Sequence, residues 1–266
     1  MSVIEKAIRR GAGEGGSSDA TVRTAGESRA LDIARMRMPP PWPPTALEAR
    51  RLVYPGMRDV RMLNAFRLLR TRLFSVAGGG RLIIAVTGVA RGGGASFAAR
   101  NLAAALAMDA IQTVLLVDAN LRRPGLDDLL AEPGDGPVTG LTDYLAGRVD
   151  DPAAIIHATG VPRLRLIPAG TLRTDAVESM SMTRLRELFN HLRARYPDRN
   201  LVLDLPPILD EADARILAGL ADTVVLAVRY GRDAAHRVQV AADVIPSERF
   251  GGIVFNDEPV PPAAWG

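Results

Sequence analysis

A glycine-rich segment of the sequence carries residues that could bind a phosphate ester. The run VTGVARGGGASF, residues 86 to 97, follows an apolar strand and precedes an alanine-rich helical run. Glycines in such a turn let backbone N–H groups approach a phosphate closely, and the helix N-terminus adds a favourable dipole. A serine hydroxyl at the helix start could also ligate Mg²⁺. The run predicts a cofactor-binding loop made of Gly88, Arg91, Gly92, Gly93, Gly94, Ala95, Ser96 and Phe97.

Two aspartates end other apolar strands and could form the acidic side of the same site. Asp118 closes VLLVD, and Asp204 closes LVLD. Parallel α/β sheets bind ligands at the carboxyl ends of their strands, where a carboxylate can orient Mg²⁺. Each feature alone also fits an ordinary glycine turn or a capping aspartate. Their combination predicts catalytic residues Asp118 and Asp204, with the amide Asn120 as a weaker candidate, and metal ligands Ser96, Asp118 and Asp204.

The elements that must position these side chains follow from the apolar pattern. Strands are predicted in LIIAVTG, TVLLVDA, LRLIPAG, NLVLDLP, TVVLAVRYG and GGIVFN. Helical runs between most of them are predicted at 96–109, 183–195, 211–220 and 233–245. Near-continuous apolar strands alternating with helices indicate a mostly parallel sheet with helices on both faces. The predicted fold class is therefore α/β with three layers.

Composition divides the chain into three predicted segments. Residues 1–57 contain the runs GAGEGGSSDA and MPPPWPP, which bury little surface, so we expect a flexible tail. The domain is predicted at 58–256, and a short C-terminal tail at 257–266. The first helical run of the domain places its apolar side chains at helical spacing, namely Met62, Phe66, Leu69 and Leu73.

Composition also excludes several kinds of site. The 266 residues include no cysteine, so disulfides and thiolate metal sites cannot form, and the three histidines lie far apart. The formal net charge is +3, and Lys6 is the sole lysine. Basic and aromatic residues are not interleaved, so we expect no nucleic-acid partner. No apolar run reaches the roughly 18 residues that cross a bilayer, and we expect a cytoplasmic protein.

Several segments resemble, in order, the cytoplasmic domain of bacterial tyrosine kinases of capsule and exopolysaccharide synthesis. They are NAFRLLRTRL, VDANLRRPGLDDLL, GLTDYLAG, IPAGTLRTDAVE, LDLPPILDEADARILAGLAD and VVLAVRYGRD. This family belongs to the deviant-Walker P-loop ATPases. The resemblance implies a P-loop NTPase fold, Mg-ATP or Mg-ADP as cofactor, and an integral-membrane polysaccharide co-polymerase or chain-length regulator as partner. It also implies membrane association through that partner.

The resemblance fails at residues on which phosphoryl transfer depends. The family's P-loop lysine falls on Ala95 and its second aspartate on Asn120, whereas Asp118 and Asp204 match. Losing one well-placed cation or donor at such a site typically lowers the rate by about 10²–10³. The family's C-terminal tyrosine cluster is also missing, because DEPVPPAAWG contains no tyrosine. These departures predict a pseudokinase with weak or absent catalysis.

One helix carries a predicted subunit contact. Arg67 and Arg70 of NAFRLLR match arginines that build a ring in the family, whereas Asn64 replaces the glutamate. The helical spacing brings these three side chains onto one face, which could equally be an ordinary solvated face. A homo-oligomer with contacts at Arg67 and Arg70 is therefore left open.

Two alternative functions also stay open. Arg91, or an arginine of a neighbouring subunit, could replace the lysine and leave an active ATPase or protein-tyrosine kinase, although the two cations are not interchangeable at a tight site. A positioning ATPase of the chromosome-partition type would carry a further lysine where Ala90 stands. The leading interpretation is a kinase-like protein of polysaccharide synthesis and export that acts by docking to its membrane partner.

Overall fold

A computed structural model describes residues 39–76, 81–131, 136, 138–171, 182–196 and 198–257. Its centre is one sheet in the order β3-β4-β2-β5-β1-β6-β7, in which every neighbouring pair is parallel except β3 with β4. The strands are β1 (Ile83–Gly88), β2 (Thr113–Asp118), β3 (His157–Ala158), β4 (Leu164–Ile167), β5 (Arg199–Asp204), β6 (Thr223–Arg229) and β7 (Phe250–Asn256). The mostly parallel sheet predicted from the sequence is confirmed. Strand β3 is not predicted, because two residues are too few to show a period.

Helices cover both faces of this sheet. Those in the described residues are α1 (Pro44–Ala49), α2 (Val60–Val76), α3 (Ala95–Ala107), α4 (Leu141–Leu145), α5 (Met182–Arg195), α6 (Ala212–Ala218) and α7 (Ala235–Asp243). Short 3₁₀ helices lie at Asp127–Leu129, Pro152–Ile155 and Ser247–Arg249. Helices α2 and α3 pack in one apolar core, and α4 to α7 pack in the other. The three-layer architecture is therefore confirmed.

The topology brings the predicted site residues to one edge of the sheet. Strands β1, β2 and β5 are buried along their whole length, because both of their faces are covered. Strand β5 lies between β2 and β1, so the loops that follow these three strands are neighbours. The chain leaves β1 on one side and returns on its other side at β6. Such a switch point is where open α/β sheets bind ligands.

Residues 39–57, which the sequence analysis assigns to the tail, pack on the domain. Leu52 and Val53 are 1% and 2% exposed and belong to the core that contains α2 and α3. The side chain of buried Asn101, on α3, accepts the Val53 N–H at 2.8 Å and donates to the Arg51 carbonyl at 3.0 Å. Two apolar residues within a polar and proline-rich stretch give no periodic signal, so the sequence pattern does not reveal this contact.

The remaining predictions about the tails concern residues 1–38 and 258–266, which lie outside the described residues. The domain boundaries otherwise stay predictions. In the part of the chain that the structure describes, no helix combines the length and the apolar character needed to cross a bilayer.

Candidate functional site: a phosphate loop beside two buried aspartates

The glycine loop connects the carboxyl end of β1 to the first turn of α3. Gly92 and Gly94 have φ angles of 74° and 90°, in the left-handed region that residues with a side chain rarely occupy. The Gly93 N–H donates to the Ala90 carbonyl at 3.2 Å, and the Ala98 N–H donates to the Gly94 carbonyl at 2.8 Å. The loop therefore makes a tight turn at a helix N-terminus, an arrangement suited to binding phosphate.

Asn256, at the end of β7, lies directly against this loop. A Cβ atom on Gly94 would clash with the Asn256 amide, which adds a steric reason for glycine at that position. The Asn256 amide nitrogen lies 3.5 Å from the Gly93 carbonyl oxygen. The sequence analysis identifies GGIVFN as a strand but gives Asn256 no role. Only the pairing of β7 with β6 brings it to the loop.

Asp118 and Asp204 lie opposite each other on neighbouring strands. They are register partners in β2 and β5, and both are fully buried. The Asp118 carboxylate accepts the N–H groups of Asn120 at 3.3 Å, Gly125 at 3.0 Å and Leu126 at 3.2 Å. Burial raises the pKa of Asp118 to about 6, although these three N–H groups act to lower it. Asp118 therefore organises the loop that follows β2.

Asp204 differs from Asp118 because neither of its carboxylate oxygens has a well-aligned hydrogen bond within the described residues, although the Ser96 hydroxyl lies close enough to act on it as a donor. Burial, followed by the nearby charge of Asp118, raises the pKa of Asp204 well above its usual range. The Ser96 hydroxyl and the Arg100 guanidinium act in the opposite direction but are outweighed. A buried carboxylate without donors is costly. A cation beside Asp204 would compensate this cost.

These residues fit a magnesium ion that is shared with a phosphate ligand. Among the described residues, no group of three or more His, Asp or Glu side chains could hold a metal by itself. Mg²⁺ commonly takes one or two protein carboxylates and completes its shell with water and substrate phosphates. Ser96 and Asp204 supply a hydroxyl and a carboxylate, and Asp118 lies beside Asp204. The donor set therefore suits a Mg-nucleotide better than a free ion.

Arg100 of α3 links the phosphate loop to the loop after β2. Its guanidinium contacts the Asp128 carboxylate at 2.9 Å and donates to the Gly125 carbonyl at 2.6 Å. Because the Gly125 N–H donates to Asp118, Arg100 indirectly supports the strand-end acid. The sequence analysis misses Arg100, since a single arginine in an alanine-rich helix belongs to no recognisable motif.

The remaining candidate residues of the glycine loop, Ala95, Arg91 and Phe97, have different environments in the structure. Ala95 is the first residue of α3, and the described residues contain no lysine. The exposed side chain of Arg91 lies 3.7 Å from Glu211. The Phe97 ring packs edge to face on Phe66 of α2, with ring centroids 6.2 Å apart. The Phe97 side chain therefore serves the contact between two helices.

Arg67 and Arg70 are not equivalent in the structure. Arg70 donates to the Ala105 carbonyl at 3.1 Å, near the end of α3, so its guanidinium makes a contact within the chain. Arg67 is exposed, as is Asn64. Leu68 on the same side of the helix is 68% exposed. The predicted subunit contact stays a prediction, and Arg67 is the more available of the two arginines.

Comparison with known proteins identifies the family. The tyrosine-protein kinase CpsD of Streptococcus agalactiae is 30% identical over 193 residues, which are 72% of this chain and 81% of CpsD. The chain belongs to the bacterial tyrosine-kinase family. The putative tyrosine-protein kinase EpsB of Ralstonia solanacearum is 33% identical over 202 residues, which are 74% of this chain. The resemblance to kinases of capsule and exopolysaccharide synthesis is thus confirmed, although no family model matches the chain.

The length of the match differs among these relatives. The chain covers 26% of EpsB and also 26% of the tyrosine-protein kinase Wzc of Salmonella typhimurium, which is 33% identical. The chain therefore spans about a quarter of these longer relatives but most of CpsD.

Solved structures agree with this family assignment. The BceF tyrosine kinase domain has a TM-score of 0.66 at 27% identity and covers 83% of this chain and 92% of its own. The VpsO kinase domain has a TM-score of 0.64 at 25% identity and covers 76% of this chain and 98% of its own. A ParA family ATPase of Chlorobium tepidum, 19% identical with a TM-score of 0.53, shares the fold alone. The predicted P-loop NTPase fold is therefore confirmed.

Proposed function

We propose that this chain is a kinase-like protein of capsule or exopolysaccharide biosynthesis that binds Mg-ATP or Mg-ADP and transfers phosphoryl groups weakly or not at all. Its family supports the kinase-like class. Nucleotide binding is supported by Asp204, whose two buried oxygens have no well-aligned hydrogen bond within the described residues and lie beside Asp118. A nucleotide-bound cation would satisfy them.

Each part of the site has a role in binding. The turn from Gly92 to Gly94 and the start of α3 would hold the phosphates by backbone N–H groups. Ser96 and Asp204 would hold Mg²⁺, with Asp118 next to them. The metal would offset the negative charge of the phosphates. These roles need only the backbone turn and three side chains, all of which this chain retains.

Weak phosphoryl transfer follows from the charges that the site lacks. Catalysis of this reaction rests mainly on positioning and on electrostatic stabilisation of the transferring group. Ala95 offers a methyl group where the family has an ammonium, and Asn120 is neutral where the family has an acid. The absent cation alone would lower turnover by about 10²–10³. We therefore propose binding as the function that persists.

The proposal includes action through a membrane co-polymerase or chain-length regulator. Kinship with EpsB, CpsD and Wzc supports a role beside such a protein. The exposed face of α2 around Arg67 is a candidate contact, either for that partner or for a second copy. The test is co-purification with the co-polymerase, compared between wild type and Arg67→Glu. We expect the wild-type chain to co-purify with the co-polymerase. If the two proteins do not co-purify from intact cells, the proposed action through a membrane partner is refuted.

Calorimetric titration with Mg-ATP and Mg-ADP, followed by a turnover assay, tests nucleotide binding. We expect binding with little or no turnover. Asp204→Asn should weaken binding of the magnesium complex by about 10–100-fold, the range typical for loss of a metal-supporting group. Asp243→Asn is the matched control, because Asp243 ends α7 and its carboxylate contacts Gln239. An absence of binding by wild type would refute the proposal.

Two other outcomes would favour the alternatives. Magnesium-dependent turnover or tyrosine autophosphorylation that is lost in Arg91→Ala would indicate an active enzyme with arginine in place of the lysine. Binding of DNA or lipid vesicles by the isolated chain would favour a positioning ATPase.

A further inference from the structure

Glu211 links three loops at the carboxyl edge of the sheet. It lies between β5 and α6, and its side chain is only 9% exposed. Arg91 of the phosphate loop approaches its carboxylate at 3.7 Å, and Arg122 of the loop after β2 approaches it at 3.2 Å. Arg122 also lies 3.8 Å from Asp213. Since β5 separates β1 from β2, the two arginines reach Glu211 from either side.

The two ion pairs of Glu211 are weak. The Arg91 and Arg122 side chains are 54% and 51% exposed, so water competes for both guanidinium groups. One buried oxygen of Glu211 has no aligned hydrogen bond among the described residues. A buried carboxylate held in this way is incompletely satisfied. A phosphate can therefore compete with Glu211 for the two arginines, and the displaced carboxylate must then gain water or a proton, because a buried charge without a partner is costly.

A phosphate group is the better anion for this pair. Guanidinium groups bind phosphate oxygens through charge-assisted, often bidentate hydrogen bonds. Arg91 belongs to the loop that would hold the phosphates, and Arg122 follows the strand that ends at Asp118. A nucleotide seated on the phosphate loop would bring its terminal phosphate to the crevice that these arginines flank.

We infer that Arg91 and Arg122 form a two-arginine clamp for the terminal phosphate of a nucleotide, and that Glu211 occupies the clamp until phosphate displaces it. This inference rests on the proposed nucleotide binding and adds a competitor that regulates it. The clamp adds affinity for the bound nucleotide and does not replace the lysine in the transition state, because binding both states equally leaves turnover unchanged. A triphosphate extends further towards the clamp than a diphosphate. The clamp therefore selects ATP over ADP, and Glu211 lowers the affinity of the free protein for both the nucleotide and simple polyphosphates.

Calorimetric titration of the full chain tests the clamp with three probes: Mg-ATP, Mg-ADP and inorganic tripolyphosphate. Arg91→Ala and Arg122→Ala should each weaken Mg-ATP binding about tenfold, the scale of one charged hydrogen bond, and weaken Mg-ADP binding much less. Glu211→Gln should strengthen Mg-ATP and tripolyphosphate binding about threefold, because it removes the competing charge.

A double variant and two control variants isolate the competition. In a Glu211→Gln background, Arg91→Ala should cause a larger loss of affinity than in wild type, since the arginine is no longer occupied. Arg186→Ala and Glu187→Gln make the same charge changes at exposed positions of α5 and should leave binding unchanged. Melting curves identify any variant that fails to fold, and the exposed arginine variants keep the test valid if Glu211→Gln is unstable.

The outcomes separate the clamp from the proposed function. If wild type binds Mg-ATP but neither arginine variant differs from it, the clamp is refuted while nucleotide binding stands. Equal losses for ATP and ADP, or weaker binding by folded Glu211→Gln, also refute the clamp. If tripolyphosphate binding depends on the arginines while no nucleotide binds, the arginines form a polyphosphate site, and both the nucleotide clamp and the proposed function are refuted. Binding of none of the probes overturns both.

Discussion

The two acidic strand ends and the glycine-rich phosphate loop lie in one crevice but differ in the charged side chains that they present. The strand ends retain both buried carboxylates, Asp118 and Asp204. The loop has left-handed glycines but carries Ala95 at the position where the family resemblance implies a lysine. Asp118 also accepts three backbone N–H groups of the next loop, so it stabilises that loop as well as facing the crevice. A lysine that contacts only the ligand can be lost without such a cost.

Restoring the missing cation is the strongest way to test this contrast. If the strand ends are intact and only the loop charge is missing, Ala95→Lys should raise ATP turnover by about 10²–10³. Ala95→Met, which adds similar bulk without charge, is the control and should leave turnover low. Steady-state kcat measures the effect. Equal turnover in the lysine and methionine variants would show that the acidic side is impaired as well.

The pH dependence of stability tests the acidic side. Burial raises the pKa of Asp118 from 3.8 to about 6, so the folded state holds a proton that the unfolded state releases between these values. The free energy of unfolding should therefore fall as the pH rises from about 4 to 6, by about 3 kcal/mol from this group. Urea denaturation at a series of pH values measures it. Asp118→Asn should reduce the slope and leave the part that comes from Asp204, whose pKa is also raised. An unchanged slope would contradict the assignment.

Removing the unpartnered charge of Asp204 should stabilise the ligand-free protein. Asp204→Asn replaces a buried carboxylate without well-aligned hydrogen bonds by a neutral amide, so we expect a gain of about 1–3 kcal/mol at pH 8. Thermal unfolding without magnesium or nucleotide measures the gain. Asp243→Asn, at an exposed position, should change the melting temperature little. A lower melting temperature for Asp204→Asn would mean that its carboxylate is better satisfied than the structure indicates.

The smallest expected effect concerns Arg70 of α2, which contacts the C-terminal end of α3. Arg70→Ala removes the hydrogen bond to the Ala105 carbonyl and should lower the free energy of unfolding by about 1 kcal/mol. Arg67→Ala removes an exposed side chain and should change it by less than about 0.5 kcal/mol. Chemical denaturation compares the two. Equal effects would remove the distinction between a contact within the chain and a surface available to a partner.

The sheet and its loops could be predicted because their signals are local. Apolar runs such as LIIAVTG and LVLDLP are buried on both faces, and the glycines of the phosphate loop follow one strand directly. The prediction extended to Asp118 and Asp204 because parallel strands bring their carboxyl ends to one edge. Contacts between distant segments could not be predicted in this way. Asn256 reaches Gly94 from a strand more than a hundred residues away, and no pattern within its own segment indicates that contact.

The sequence by itself determined the α/β class, the glycine-rich loop, the strand-end acids and the alanine at position 95, since each depends on residue type and short spacing. Only the tertiary structure decided that Asp118 accepts three backbone N–H groups while Asp204 has no well-aligned hydrogen bond from the described residues. It also decided that Arg70 turns inward and that Arg91 meets Glu211. Those distinctions depend on which distant groups surround a side chain in the folded protein. Burial and the local electric field arise from that packing, and a linear order of residues does not contain them.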